Sequence, residues 1–334
     1  VLALGMLLVR SPETVWLGIV SIAGIASMGA FFMPASQAAL PNLVTKDQLS
    51  RANVLMGSAW STMLAVGAAV GGLVATYLGR DAAFVINALT FLVSALLVAR
   101  IRGRFSAATP EKVEVHPIRD VHEGITYARS HPQVMALLAT KAGFGFGAGV
   151  IALLPIFARD VFEGGDLTIG ILFSARGLGA FLGPFAARAF VGQNSRRLFL
   201  AIGAAMATYG FAYLLFPAAP VIWVAALVAT LAHLGGGSQW MLSTYGLQVS
   251  TPDYVRGRIL AFDFGMVTLS MSLSFLLAGT LAERFGPQPV MVGLALFEIF
   301  YATVWTLGTR RFWSVGAPAL RFEVAAGETV PPGE

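Results

Sequence analysis

Residues 82–101 read AAFVINALTFLVSALLVARI. No charged side chain occurs from Ala82 to Ala99. At ~1.5 Å per residue, a helix of that length crosses most of a ~30 Å hydrocarbon core. Arg80 and Asp81 stand before the run, and Arg100, Arg102 and Arg104 close it. Working outward, the same pattern of apolar block and polar break recurs at 15–39, 54–79, 133–158, 167–191, 196–216, 220–245, 259–282 and 288–309. A further block, Val1 to Val9, stops at Arg10. Nine helical residues rise only ~13 Å, so this block is expected to be the tail of a helix that begins upstream.

Composition agrees with this pattern. Of 334 residues, 57% are apolar and 12% charged, against about 45–50% and about 25% in soluble domains. So few charges cannot cover the surface of a soluble chain of this size. The sequence therefore describes an all-α polytopic membrane protein. The net charge of +5 does not point to nucleic acid, because the basic residues lie between apolar blocks and form no single patch. With Cys 0 there is no disulfide, thiol nucleophile or thiolate metal site, and no metal or cofactor is expected. His-Glu-x-x-His, Gly-x-Ser-x-Gly, P-loop and dinucleotide-binding patterns are all missing, so the chain is not read as an enzyme.

Charge placement fixes the expected orientation. Sixteen Lys and Arg residues fall on one side, among them Lys46, Arg51, Arg100, Lys112, Arg119, Arg188, Arg196, Arg256, Arg258 and Arg310. Four (Arg10, Arg80, Arg159 and Arg284) fall on the other, and Lys141 and Arg176 lie within spans. The richer side is the cytoplasmic one, which places the C-terminus inside. The spans divide around 102–132, the longest polar stretch between them. There Ile118, Val121 and Ile125 recur at helical spacing among charges, as in a helix lying on the membrane surface. Four parts result: 1–101 as a first bundle, 102–132 as a cytoplasmic loop, 133–309 as a six-helix bundle, and 310–334 as a polar tail expected to be disordered. Two such halves around a midplane site are a common transporter plan.

Two motifs carry a resemblance. Pro34-Ala35-Ser36-Gln37-Ala38-Ala39-Leu40-Pro41, continuing through Asp47-Gln48-Leu49-Ser50-Arg51-Ala52-Asn53, is similar to the connection between helices four and five of major facilitator superfamily exporters. The branch that contains the enterobactin exporter and macrolide efflux proteins is the most similar. Gln248 through Arg256-Gly257-Arg258-Ile259 resembles the connection between helices ten and eleven. The likeness implies a fold of two helical bundles with about ten of twelve spans present, the first two lying upstream. Gly183-Pro184, Arg188 and Arg196-Arg197 resemble a degenerate copy of the family's loop between helices two and three. Gly57, Gly67, Gly71 and Gly72 resemble its antiporter motif, with Ala68 in place of the motif's Pro. Close helix packing through small residues accounts for Gly67, Gly71 and Gly72 equally well.

Charges at membrane depth are costly and tend to serve function. Four stand out: Lys141, Arg176, His233 and Glu298. His233 precedes Gly235-Gly236-Gly237 on a helix that faces the cavity in the resembled fold. It reads as a proton-exchanging imidazole or as a neutral core histidine bonded to a neighbouring helix. Gln239 follows on the same helix. Glu298 reads as a protonation site or as a buried acid paired with a base such as Arg176. Lys141 reads as a cation for an anionic substrate or as a structural group, and Arg176 is open in the same way. Arg256, Arg258 and Asp263, with Arg51 and Asn53 as the first-half counterpart, are expected to gate the cytoplasmic mouth.

The resulting expectation is a monomeric secondary transporter in the bacterial cytoplasmic (inner) membrane. It exports an amphipathic small molecule by alternating access with inward proton flow, and has no nucleic-acid partner. An importer or facilitator of the same fold, or a membrane scaffold without transport, is the alternative. The orientation is testable: a cysteine at Arg159 should react with a membrane-impermeant maleimide in intact cells, whereas one at Arg310 should react only after the membrane is inverted or permeabilised. The reverse pattern would overturn the assigned topology.

Overall fold

A computed structural model describes residues 2–101, 117–164, 166–192 and 195–313, and among these there is no strand. A short α1 (Leu2–Gly5) and two 3-10 turns lead into α2 (Val15–Leu43), α3 (Lys46–Leu78) and α4 (Arg80–Arg100). The surface helix α5 (Pro117–Ser130) is followed by α6 (Pro132–Gly147) and α7 (Gly149–Ile156), which ends in a π-turn at Phe157–Val161. Then come α8 (Asp166–Val191), α9 (Ser195–Leu215), α10 (Ile222–Ser250), α11 (Asp253–Phe285), α12 (Pro287–Gly308) and α13 (Arg310–Trp313).

The chain repeats itself. α10, α11 and α12 begin 207 residues after α2, α3 and α4, and the first two pairs match in length at 29 and 33 residues. A single glycine joins each terminal pair, Gly79 between α3 and α4 and Gly286 between α11 and α12, with φ of 85° and 83°. That left-handed backbone costs glycine nothing, so one residue suffices to reverse the chain. Thr45 opens α3 with a capping box completed by Gln48, which satisfies two of the helix's first N–H groups.

Seven helical stretches among the described residues are long and apolar enough to cross a membrane. α3 and α10, at 33 and 29 residues, also have the length. In α10 the segment Gly235-Gly236-Gly237-Ser238-Gln239 lies mid-helix and is largely buried against protein. A helix enclosed by other helices need not be apolar, because its polar groups find partners there. The helices also outrun the apolar blocks. α3 begins eight residues before residue 54, and α11 begins six before residue 259, because hydrophobicity marks only the part inside the hydrocarbon. The expected span at 133–158 is a single apolar run, but the helix breaks at Ala148. The glycines at 143, 145, 147 and 149 have no Cβ to stiffen it, and Pro155 removes a donor below the break.

Close approach between helices rests on glycine. A Cβ on Gly179 would strike the Thr230 carbonyl, and one on Gly183 the Leu234 carbonyl, both on α10. Gly235 lies in the same way against the Ala205 carbonyl of α9. Side chains add cross-links where backbones meet: Ser238 Oγ donates to the Gly183 carbonyl at 2.8 Å, and Trp305 Nε1 to that of Ala136 at 2.8 Å. Large side chains such as Trp223, Leu269 and Phe300 lie on the outside, as lipid contact requires. Gly67 meets nothing within 4 Å among the described residues; the surroundings of Gly71 and Gly72 lie outside the described residues, as do 102–116 and the tail from 314. Among the described residues, such glycine contacts join α8 to α10 and α10 to α9. Gly183→Leu should separate α8 from α10 and destabilise the fold by about 1–3 kcal/mol, read as a lower thermal midpoint in detergent. An unchanged midpoint would refute this close contact.

Candidate functional site

A narrow cleft with a cavity volume of about 30 Å³ opens where the two halves of the chain meet. Met33, Pro34 and Gln37 of α2 form one wall. Lys141 of α6, Trp240 and Thr244 of α10, and Leu260, Asp263 and Phe264 of α11 form the other. Pro34 lies inside α2, where it supplies no N–H to the helix ladder.

The charged centre of the cleft is one ion pair. Lys141 is 1% exposed, and its Nζ lies 2.8 Å from Asp263 Oδ2. The same ammonium donates to Thr244 Oγ1 at 3.1 Å and stands 4.2 Å from the centre of the Trp240 ring. Carboxylate, hydroxyl and ring face thus surround the cation. Asp263 has its second oxygen, Oδ1, buried without a hydrogen-bond partner among the described residues. Such a pair adds little net stability, yet removing one member strands the other and costs about 3–5 kcal/mol. Gln239, fully buried beside this centre, donates from Nε2 to the Thr140 carbonyl at 2.9 Å, which ties α10 to α6 one residue before Lys141.

The expected cytoplasmic cluster of Arg256, Arg258 and Asp263 is not formed. Asp263 belongs to the cleft. Arg256 bonds Asp253 at 2.9 Å and the Thr251 carbonyl at 3.2 Å, while Arg258 pairs with Glu123 of α5 at 2.9 Å. Helical geometry explains the separation. Arg258 is five residues before Asp263 and points elsewhere around the helix, while Arg256 shares its face two turns, or about 10 Å, away. Arg51 is exposed on α3. Asn53 is buried, and its Nδ2 donates to Gln248 Oε1 at 2.7 Å. Gln248 Nε2 in turn donates to the Gln37 carbonyl at 2.8 Å, and Asn42 Nδ2 donates to Asp253 Oδ1 at 2.7 Å. Among the described residues, the side-chain amides of Asn42, Asn53 and Gln248 link the halves at this end. Gln37 and Gln248 stand in the two family-like motifs, a signal that could have marked them.

His233 does not line the cleft. It lies two turns before Trp240, where α9 covers it, with Nε2 2.8 Å from Tyr213 Oη and its ring edge-on to Tyr209. Glu298 is 1% exposed and neither of its oxygens has a hydrogen-bond partner among the described residues. The expected pairing with Arg176 is not made; Arg176 Nε is likewise unpartnered, and the guanidinium faces the Phe173 ring at 5.8 Å. Tyr209, edge-on to His233, has its own hydroxyl buried without a hydrogen-bond partner among the described residues. Of the candidates, Lys141 lines the cleft and Gln239 stands beside it, whereas Arg176, His233 and Glu298 are not part of its lining. No group of His, Cys, Asp or Glu suited to a metal occurs among the described residues.

BacE of Bacillus subtilis (strain 168), which carries the name of a bacilysin exporter, is 26% identical over 269 residues, covering 80% of this chain and 64% of BacE. Macrolide efflux protein A of Streptococcus pyogenes is 25% identical over 280 residues, covering 81% of this chain and 67% of that protein. The chain therefore spans about two thirds of the length of these curated relatives. Among solved structures, the proton:xylose symporter XylE bound to 6-bromo-6-deoxy-D-glucose superimposes with a TM-score of 0.62. It is 14% identical, and the match covers 93% of this chain and 73% of XylE; at that identity it bears on the fold alone. A family model described as transmembrane secretion effector matches residues 2–307. The chain belongs to this transmembrane secretion effector family of the major facilitator superfamily.

Proposed function

We propose that this protein exports an amphipathic small molecule across the bacterial cytoplasmic membrane by alternating access, driven by inward proton flow. The observation that carries the reading is the cleft between the halves, with a buried Lys141–Asp263 pair at its centre and the Trp240 and Phe264 side chains in its wall. Aromatic and aliphatic walls suit the apolar body of a ligand, and a few buried polar groups fix its polar end. A ligand donor can satisfy Asp263 Oδ1, and a ligand acceptor can compete for Lys141 Nζ. The names of the relatives, a bacilysin exporter and a macrolide efflux protein, support export as the direction.

The pair supports alternating access for an electrostatic reason. It joins α6 to α11, and a ligand that inserts between its members loosens the contact between those helices. The amide links Asn53–Gln248 and Asn42–Asp253 tie the halves at the end assigned to the cytoplasm. Opening that end to load substrate means breaking them, and no charge is stranded when they part.

Two measurements test this reading. In inverted vesicles given a pH gradient, uptake of a macrolide and of ethidium should fall at least tenfold in Lys141→Ala and in Asp263→Ala. The neutral double variant Lys141→Met with Asp263→Leu should regain the thermal stability lost by each single alanine but not the uptake. Uptake at the wild-type rate in the double variant would exclude the pair as the substrate site. Cysteines replacing Asn53 and Gln248, once cross-linked, should stop uptake reversibly, with reductant restoring it. Continued uptake by the cross-linked protein would show that this end need not open.

A further inference from the structure

Glu298 plays no part in the cleft. It projects from α12 at the point where the helix facing it is broken. α6 ends at Gly147, whose missing Cβ leaves the space that the Glu298 carboxylate occupies. Ala148 intervenes, and α7 starts at Gly149. At this break the backbone bonds to α11: Gly149 N donates to Ser274 Oγ at 3.0 Å, and the Ser274 hydroxyl donates to the Phe146 carbonyl. The helix is therefore interrupted, for the single residue Ala148, beside an enclosed carboxyl group with both oxygens unpartnered among the described residues.

We infer that Glu298 is the proton-carrying group of this protein, and that it acts on the α6–α7 break instead of binding substrate. The inference rests on the proton-coupled reading above and assigns that coupling to a site outside the cleft. A carboxyl enclosed by apolar side chains and glycine, without a cation or donor, is stable only as the neutral acid. To ionise, its O–H bond breaks, the proton passes to an adjoining water, and the carboxylate needs that water to stay. The break is where that water is taken to enter: its own residues are glycine and alanine, and its backbone is cross-linked to α11 through Ser274. Ionisation then opens α6–α7 away from α12, and protonation lets it close. Lys141 lies six residues before Gly147 on the same helix, about 9 Å away, so this motion moves the cation of the cleft.

The ionisable surroundings leave the role to Glu298. Tyr209 on α9 and Tyr301 on α12 are the phenols electrostatically coupled to it, and Arg176 of α8 is coupled to Tyr209. Tyr301 Oη is committed to the Ala139 carbonyl at 2.6 Å. The charges of α6 and α11 deep in the membrane, Lys141 and Asp263, neutralise each other. α7 brings no titratable side chain to the break. On α9, Tyr213 is bonded to His233.

The test needs no substrate. The full chain in lipid nanodiscs is titrated from acid to alkaline buffer while the carboxylic C=O stretch is followed by infrared difference spectroscopy. The absence of cysteine allows spin labels to be placed at Asp160→Cys and Gln288→Cys to measure the spacing of the outer ends of α7 and α12. Expected is a protonated-carboxyl band that disappears in Glu298→Gln, and a pH-dependent spacing that this variant freezes at its acid value. Glu298→Asp, which keeps the acid but shortens its reach, should shift the band and cover the case of a misfolded glutamine variant. A band unchanged in both variants, or a spacing that still follows pH in Glu298→Gln, overturns the assignment. A normal band and spacing in a protein that moves neither macrolide nor ethidium against a pH gradient would overturn the export reading alone.

Discussion

The Lys141–Asp263 ion pair imposes the constraint from which the rest of the site follows. An isolated charge enclosed in a membrane bundle is expensive, and the expense falls steeply when an opposite charge sits at hydrogen-bond distance. Lys141 on α6 and Asp263 on α11 are 122 residues apart in the chain. Each is tolerable only while α6, α10 and α11 hold their mutual positions. The polar residues around them serve that geometry: Thr244 takes a second donor of the ammonium, Trp240 covers it, and Gln239 pins α10 to the backbone next to it. A site built in this way responds to anything that competes for one partner, because weakening the pair exposes a charge that must find another.

The 207-residue repeat gives the two halves related frames that carry different chemistry. Arg258 and Arg51 occupy equivalent positions under that shift, as do Thr244 and Gln37, which both line the cleft. Asp263 falls opposite Met56, so its carboxylate has no counterpart at the equivalent position. The second half supplies the charge and the first a mostly apolar face with amides. Their junction combines a fixed dipole with amide links that can part without stranding an ion.

Much of this was legible in the sequence, for identifiable reasons. Apolar runs such as 82–101 mark helices because lipid leaves the backbone few alternatives to internal hydrogen bonding. Lys141 and Glu298 stood out because charges in such runs are rare. Pairing was not legible. Asp263 looked like a partner for Arg258 by proximity in sequence, whereas its real neighbour depends on which helices touch. His233 followed the same rule: α9 covers it two turns from the cleft-lining Trp240, a distance that composition cannot report. The break at Ala148 left a visible trace in GFGFGAG at 143–149, but the run is apolar throughout and reads as unbroken span.

The one-residue links at Gly79 and Gly286 have a mechanical consequence. A connector of two peptide bonds has no slack, so α3 cannot slide along α4, nor α11 along α12, without unwinding a helix end. Each antiparallel couple therefore travels as a stiff hairpin. Within each repeat, relative motion of α2 against α3 and of α10 against α11 is left to the two-residue joints at Val44-Thr45 and Thr251-Pro252, which sit at the opposite face from the glycines. The protein is in effect hinged on one side and riveted on the other.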